Sequence, residues 1–260
     1  MIIEDLGFWN PIIINSGNRY GNMNLAGKFY PANFTLKDRK KVFKVSRDAL
    51  GRDYGFDGSK MYMASQKHQI GTYFEMTNDY VNAKPEGWTD IDQDILLLKS
   101  NVKEVAIGHP VADYPLVIAY DQKQEVISVG HCSPALIDKL LPIYIIDSLQ
   151  EKFNSNTNDI LVYISPAASK ESYKHETYPD WITNEKVWGD NIIENNGFYI
   201  DLKNAVKQEL LSRNIKEENI FISQVDTITN SNYYSEYAEN HGQLEKAGRN
   251  FVGAAFVRKR

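Results

Sequence analysis

Five histidines, one cysteine and an Asp-Tyr pair carry most of the chemistry this 260-residue sequence can offer. His68, His109, His131, His175 and His241 are the side chains that titrate near neutral pH, which makes them candidate proton carriers or metal ligands. A lone histidine is more often a surface or satisfied core residue, so its setting has to discriminate. His131 closes the apolar run VISVG and stands just before a helix start; His109 ends another strand, directly before Pro110. Strand ends facing helix starts are where polar side chains and backbone N–H groups converge on ligands. The single cysteine, Cys132, excludes an intrachain disulfide and a Cys-based zinc motif. Walker A, G-x-G-x-x-G, G-x-S-x-G and H-E-x-x-H signatures are all absent.

The elements that must position these groups follow from periodicity. Residues 37–50 read as a helix with Val42, Val45, Ala49 and Leu50 on its apolar face and Gly51 as the C-terminal cap. Residues 16–26 read as a loop with Gly-Asn turns, and 76–93 as a polar surface loop. Val- and Ile-rich runs predict strands at Glu104–His109, Pro115–Tyr120 and Glu125–Gly130, with Asp121–Gln124 as a hairpin connection. Ser133-Pro134 is an N-cap followed by proline at the first helical position; the apolar stretch to Phe153 continues as helix, kinked or split at Pro142. Asp159–Ile164 reads as a strand, Asp201 opens an amphipathic helix, and Ile220–Val225 and Phe251–Val257 are further strands. Without a strict βαβ rhythm, these elements predict an α+β fold, mixed β-sheets flanked by helices, in one domain spanning 1–260.

Composition narrows the function classes. The 42% hydrophobic content is enough for a sizeable core, and no apolar run approaches the roughly 20 residues that span a bilayer. Net charge is −5 and no basic stripe stands out, which argues against a nucleic-acid partner. The expectation is a cytoplasmic protein, monomer or homo-oligomer, acting on a small molecule, with neither nucleic acid nor membrane as partner.

The order of several short segments carries a resemblance. Gln66-Lys67-His68 is followed by Asp94-Ile95-Leu96-Leu97, then Ala112-Asp113-Tyr114-Pro115-Leu116, then Gly130-His131. This resembles the YfiH-like laccase-domain family, with its Q-V-H-G, A-D-A-L, A-D-C-x-P and H-A-G-W-R-G segments. Further stretches agree: Tyr20 to Leu25, Ser46-Arg47, Ile164-Ser165-Pro166 with Tyr173, and the tail from Asp226 to Arg249. The resemblance thus covers nearly the whole chain and implies a YfiH-like fold and purine nucleoside chemistry: phosphorolysis, or adenosine deamination. Carried over by position, it implies His68, His131 and Asp113 as catalytic residues, and Asn24, Arg47, Tyr114 and Arg249 as ligand-binding ones. It makes His68 and His131 metal ligands, with zinc as the implied ion. On the residues alone, Asn24 and Asp113 read equally well as turn caps, and Arg47 as part of a solvated helix face.

Two departures alter that chemistry. Tyr114 stands where the family has its cysteine ligand, and a phenol with a reference pKa of about 10 is a poor substitute for a thiolate. Ala135 stands where the family has an arginine, and Glu236-Tyr237 where it has an Arg-Arg pair, so anion clamps are lost. A phenol oxidase in the sense of the family's older name would need several copper centres, for which one cysteine and five histidines fall short. Binding of a purine nucleoside or nucleotide-derived small molecule on an altered site is therefore the first expectation. An active phosphorylase, hydrolase or deaminase, with His68 or His131 as acid–base group, is the second. Both require positions 68, 114 and 131 to line one cavity.

Overall fold

A computed structural model describes residues 10–65, 70–84 and 90–257. In chain order the first half comprises β1 (Ile12–Asn15), α1 (Leu36–Tyr54), β2 (Met61–Ala64), β3 (Tyr73–Met76), α2 (Asn78–Ala83) and β4 (Asp90–Ile91). Then follow β5 (Ile95–Lys99), β6 (Val105–Val111), β7 (Leu116–Asp121), β8 (Val126–His131), α3 (Pro134–Ile137), α4 (Leu141–Phe153) and β9 (Ile160–Ile164). The remainder is β10 (Lys174–His175), α5 (Glu185–Trp188), β11 (Ile192–Glu194), β12 (Phe198–Ile200), α6 (Leu202–Ser212), β13 (Ile220–Ile222), α7 (Glu236–Asn240) and β14 (Asn250–Phe256).

These strands form two large mixed sheets and one small one. The first runs β1-β14-β6-β2-β4, antiparallel as far as β6 and parallel beyond it. The second runs β13-β9-β7-β8-β5-β3, antiparallel in the centre with a parallel pair at each edge. Side-chain alternation then sorts the core into three layers. Val105, Ile107, Ile127, Val129 and Val252 meet between the sheets. On the outer face of the first sheet, Ala106 and Phe251 pack against Phe43 and Leu50 of α1. On the outer face of the second, Val117 and Val126 pack against Ile145 and Leu149 of α4 and Val206 of α6. The α+β architecture of mixed sheets flanked by helices is thus what the sequence leads one to expect.

Several local expectations need correction. The first helix does not stop at Gly51 but continues to Tyr54, where Gly55 takes the left-handed cap at φ 81. Gly51 lies inside it because a Cβ there would come within 2.6 Å of the Gly58 backbone nitrogen. Its start is fixed by a capping box between Thr35 and Asp38. The apolar face also differs from the expected one: Val42 and Val45 are exposed, and the buried face is Phe43, Ser46, Arg47, Leu50 and Gly51. Within the predicted loop 76–93, Thr77 caps the short helix α2, whose Val81 is buried. Pro142 sits in the first turn of a new helix, after a break at left-handed Leu140, so the apolar stretch is split. The hairpin after β7 is tied by the Asp121 carboxylate, which accepts from the backbone N–H of Lys123 and Gln124.

The net charge also conceals a local concentration. Lys37, Lys40, Lys41, Lys44 and Arg47 line one groove along α1, a basic flank that the overall balance of −5 does not reveal. Among the described residues, no helix is long and apolar enough to cross a membrane.

Candidate functional site

On β6, His109 shares the parity of Ile107 and Val111; on β8, His131 shares that of Ile127 and Val129. Both imidazoles therefore point between the two sheets, where they close the rim of the apolar layer. They are 9% and 7% exposed and stack with ring centroids 4.5 Å apart and an interplanar angle of 21°. The His109 Nδ1 lies 3.0 Å from the Pro110 carbonyl oxygen, a contact in which Nδ1–H donates and which fixes the tautomer.

The Asp113-Tyr114 pair lies in the turn from β6 to β7. Asp113 has a positive φ of 69, and its buried carboxylate accepts from the Tyr237 backbone N–H and the Thr227 hydroxyl, each at 2.7 Å. Its own carbonyl accepts from Ala168 N–H at 2.7 Å. The residue thereby ties three separate stretches of chain together at the site. Burial pushes its pKa up, and the hydrogen bonds from Tyr237 and Thr227 offset part of that push.

That anchoring aims the Tyr114 ring between the imidazole stack and a cavity. It lies 6.0 Å from the His131 ring on one side and 6.5 Å from the Tyr173 ring on the other. Burial raises the Tyr114 pKa, so it is a neutral phenol at physiological pH and not an anionic ligand.

The cavity beyond Tyr114 holds about 300 Å³, and its walls include Tyr173, His175, Glu236, Tyr237 and His241. Tyr173 is the hub of the aromatic wall, 4.8 Å from the His175 ring and 5.5 Å from that of Tyr237. Tyr237 stacks on His241 at 4.1 Å. His175 has its pKa lowered by burial and by the nearby His241, so it is neutral at pH 7. Burial pulls the Glu236 pKa upward, but the charges of Arg249 and Lys28 outweigh it and hold the carboxylate ionised.

The other positions named from the sequence are distributed around this centre. Arg249 forms an ion pair with Glu236 at 2.8 Å and stands 4.9 Å above the Phe29 ring. Asn24 turns its side-chain oxygen to the Ala26 N–H at 2.7 Å, closing an Asx turn. Arg47 is not on a solvated face: it is 4% exposed, close to the Phe43 ring, and lines the α1 groove rather than the cavity beside Tyr114. His68 lies outside the described residues. Cys132 is fully buried in the helix-side core, its thiol pushed up by burial, and points away from the imidazole pair.

Sequence reasoning missed Tyr173, His175, Tyr237 and His241 as neighbours in one cavity. Local signals existed: Tyr173 and His175 are two apart at the entry to β10, and Tyr237 and His241 are four apart, from α7 to its C-cap, spacings that can place each pair on one face. Nothing in the spacing says that the two pairs meet.

Two mixed sheets packed face to face, with helices outside them and an aromatic cavity at the rim, define the class: a four-layer α+β protein with a small-molecule-sized site. The chain belongs to the family described as multi-copper polyphenol oxidoreductase laccase, whose model matches residues 15–255. Its fold is similar to that of YlmD from Geobacillus stearothermophilus, at 15% identity and a TM-score of 0.75, covering 95% of this chain and 92% of that one. It is also similar to the Bacillus licheniformis hypothetical protein YfiH, at 16% identity and a TM-score of 0.70, covering 91% and 85%. A Neisseria meningitidis protein shares 12% identity at a TM-score of 0.66, covering 92% and 86%. No curated protein matches the chain. At these identities the likeness shows a YfiH-like fold and nothing finer.

The family name implies copper, and the donors among the described residues do not fit a multi-copper centre. An imidazole lone pair lies in its ring plane, and rings stacked at 21° hold their lone pairs in two nearly parallel planes, so one ion does not lie in the plane of both. The thiol is in the core, Tyr114 is a neutral phenol, and no group of three or more His, Cys, Asp or Glu among the described residues is arranged to hold a metal.

Proposed function

We propose that this protein binds a purine nucleoside or a nucleotide-derived small molecule in the cavity beside Tyr114. The observation that carries the reading is the aromatic wall of Tyr114, Tyr173 and Tyr237 around a space of about 300 Å³. That volume is at the small end of ligand sites and suits one nucleoside-sized molecule, not a polymer. Planar faces with phenolic tips match a flat heterocycle that needs both stacking and hydrogen bonds. The ionised Glu236 offers acceptors to ribose hydroxyls, and Asp113 holds the walls in place through its hydrogen bonds to Thr227 and Tyr237. In this reading Arg249 acts through Glu236, and Asn24 through the turn beside Arg249. Calorimetry against adenosine, inosine, guanosine and AMP is the test. One of these binds the wild-type protein, and Tyr173→Ala with Tyr237→Ala weakens that binding at least about tenfold; absence of binding across the panel contradicts the reading.

A second reading is favoured by the imidazole stack. His131, next to Tyr114, has the chemistry of a general acid–base, as expected of a purine nucleoside phosphorylase, hydrolase or adenosine deaminase. His68 is its proposed partner, in acid–base work or in holding zinc. Chromatography of adenosine and inosine incubated with the protein, phosphate and zinc distinguishes the two. Free base or inosine produced by wild type and abolished in His131→Ala supports catalysis; no turnover in wild type retires it.

A further inference from the structure

The groove on α1 has no part in the cavity described above, and its chemistry differs. α1 carries seven basic and three acidic side chains in a protein of net charge −5. Four lysines and Arg47 line a hollow of about 520 Å³ whose apolar wall is Leu36, 50% exposed, over a floor of Phe43. Lys37, Lys40 and Lys44 follow one another up one flank over about 10 Å, at 1.5 Å per residue. Arg47, buried near the base, continues the row.

We propose that this groove is a docking site for an acidic peptide segment of a partner protein, one that also carries a large aliphatic side chain. Carboxylates two residues apart on an extended peptide are about 7 Å from each other, a separation that neighbouring lysines of this row can meet. Leu36 supplies the contact for the aliphatic side chain. The same features disfavour other polyanions. Asp38 and Asp48 lie among the cations of α1, and Asp48 pairs with Lys44, so a flat anionic bilayer would meet acidic groups as well as basic ones. Single-stranded nucleic acid wants exposed aromatic faces for its bases, whereas Phe43 is 1% exposed and the accessible apolar groups, Leu36, Val42 and Val45, are aliphatic.

Fluorescence anisotropy tests this with a short labelled peptide bearing glutamates at alternate positions and a central leucine. The controls are its glutamine counterpart, phosphatidylserine vesicles and an oligo-uridylate. The acidic peptide binds, the glutamine version does not, and added salt weakens the complex. Lys37→Glu/Lys40→Glu/Lys44→Glu lowers affinity at least about tenfold, while Leu36→Ser, which leaves every charge in place, lowers it a few-fold. Both variants are checked for an unchanged melting curve, and single Lys37→Glu replaces the triple if that one is unfolded. Failure of the acidic peptide to bind, equal binding by the charge-reversed variant, or stronger binding to vesicles or oligo-uridylate overturns the proposal.

Discussion

At the scale of single residues, Tyr114 is the position with the widest chemical reach, since the resemblance implies a thiolate there. Burial keeps the phenol protonated, so the position offers a ring face and a hydroxyl but no soft anion. Tyr114→Cys restores the donor type that zinc prefers, and zinc retained after dialysis, measured by mass spectrometry of the metal, is expected to rise at least about tenfold over wild type. A second residue makes a pH prediction. Glu209 is 5% exposed, its carboxyl finds no hydrogen-bond partner among the described residues, and burial, with Asp138 nearby, pushes its pKa up to about 9. An acid whose pKa is higher folded than unfolded favours folding fully below its unfolded value. That contribution is lost as pH rises from about 4.5 toward 9. Wild type should therefore melt progressively lower across this window, and Glu209→Gln should flatten the profile, with a Tm several degrees higher than wild type at pH 9. Parallel profiles for the two proteins would show that Glu209 ionises freely in the fold.

At the scale of elements, the sequence is most informative where both faces of a strand are buried. β6 to β9 are Val- and Ile-rich runs bounded by turn residues, and their placement follows from that pattern alone. It is less informative about α1, because Gly51 and Gly55 are both plausible caps and only the contact with Gly58 decides between them. Gly51→Ala makes the distinction measurable: alanine favours helix by up to about 1 kcal/mol, but its Cβ would collide with the Gly58 and Phe56 backbone. The expected outcome is a net loss of about 1–3 kcal/mol in denaturant unfolding. A stabilised variant would mean that the Gly55–Gly58 turn can retreat at little cost. Replacing the Thr35 cap by alanine should cost about 1 kcal/mol by the same measurement. α2 escaped notice because a single buried residue, Val81, leaves no periodic apolar pattern to detect.

At the scale of the whole molecule, the site is an assembly of chain ends and turns that two packed sheets bring to one rim. The nearness of Tyr114 to His131 was legible through the family resemblance, whose ordered segments name both positions. The other half was not. Tyr173 and His175 lie at β10, whereas Tyr237 and His241 come from α7 and its end; Asp113, bonded to Thr227 and to Tyr237, and the Tyr237 hydroxyl, which donates to the Lys174 carbonyl, draw those segments together. The charge distribution was hidden for a related reason, since lysines spread over α1 become a groove only when the helix docks on the first sheet. A crystal of the protein soaked with the tightest-binding nucleoside tests the central claim most directly. The account expects a purine ring against Tyr173 and Tyr237, with its ribose toward Glu236. Density for the base elsewhere on the molecule, with the cavity beside Tyr114 filled by solvent alone, would contradict it.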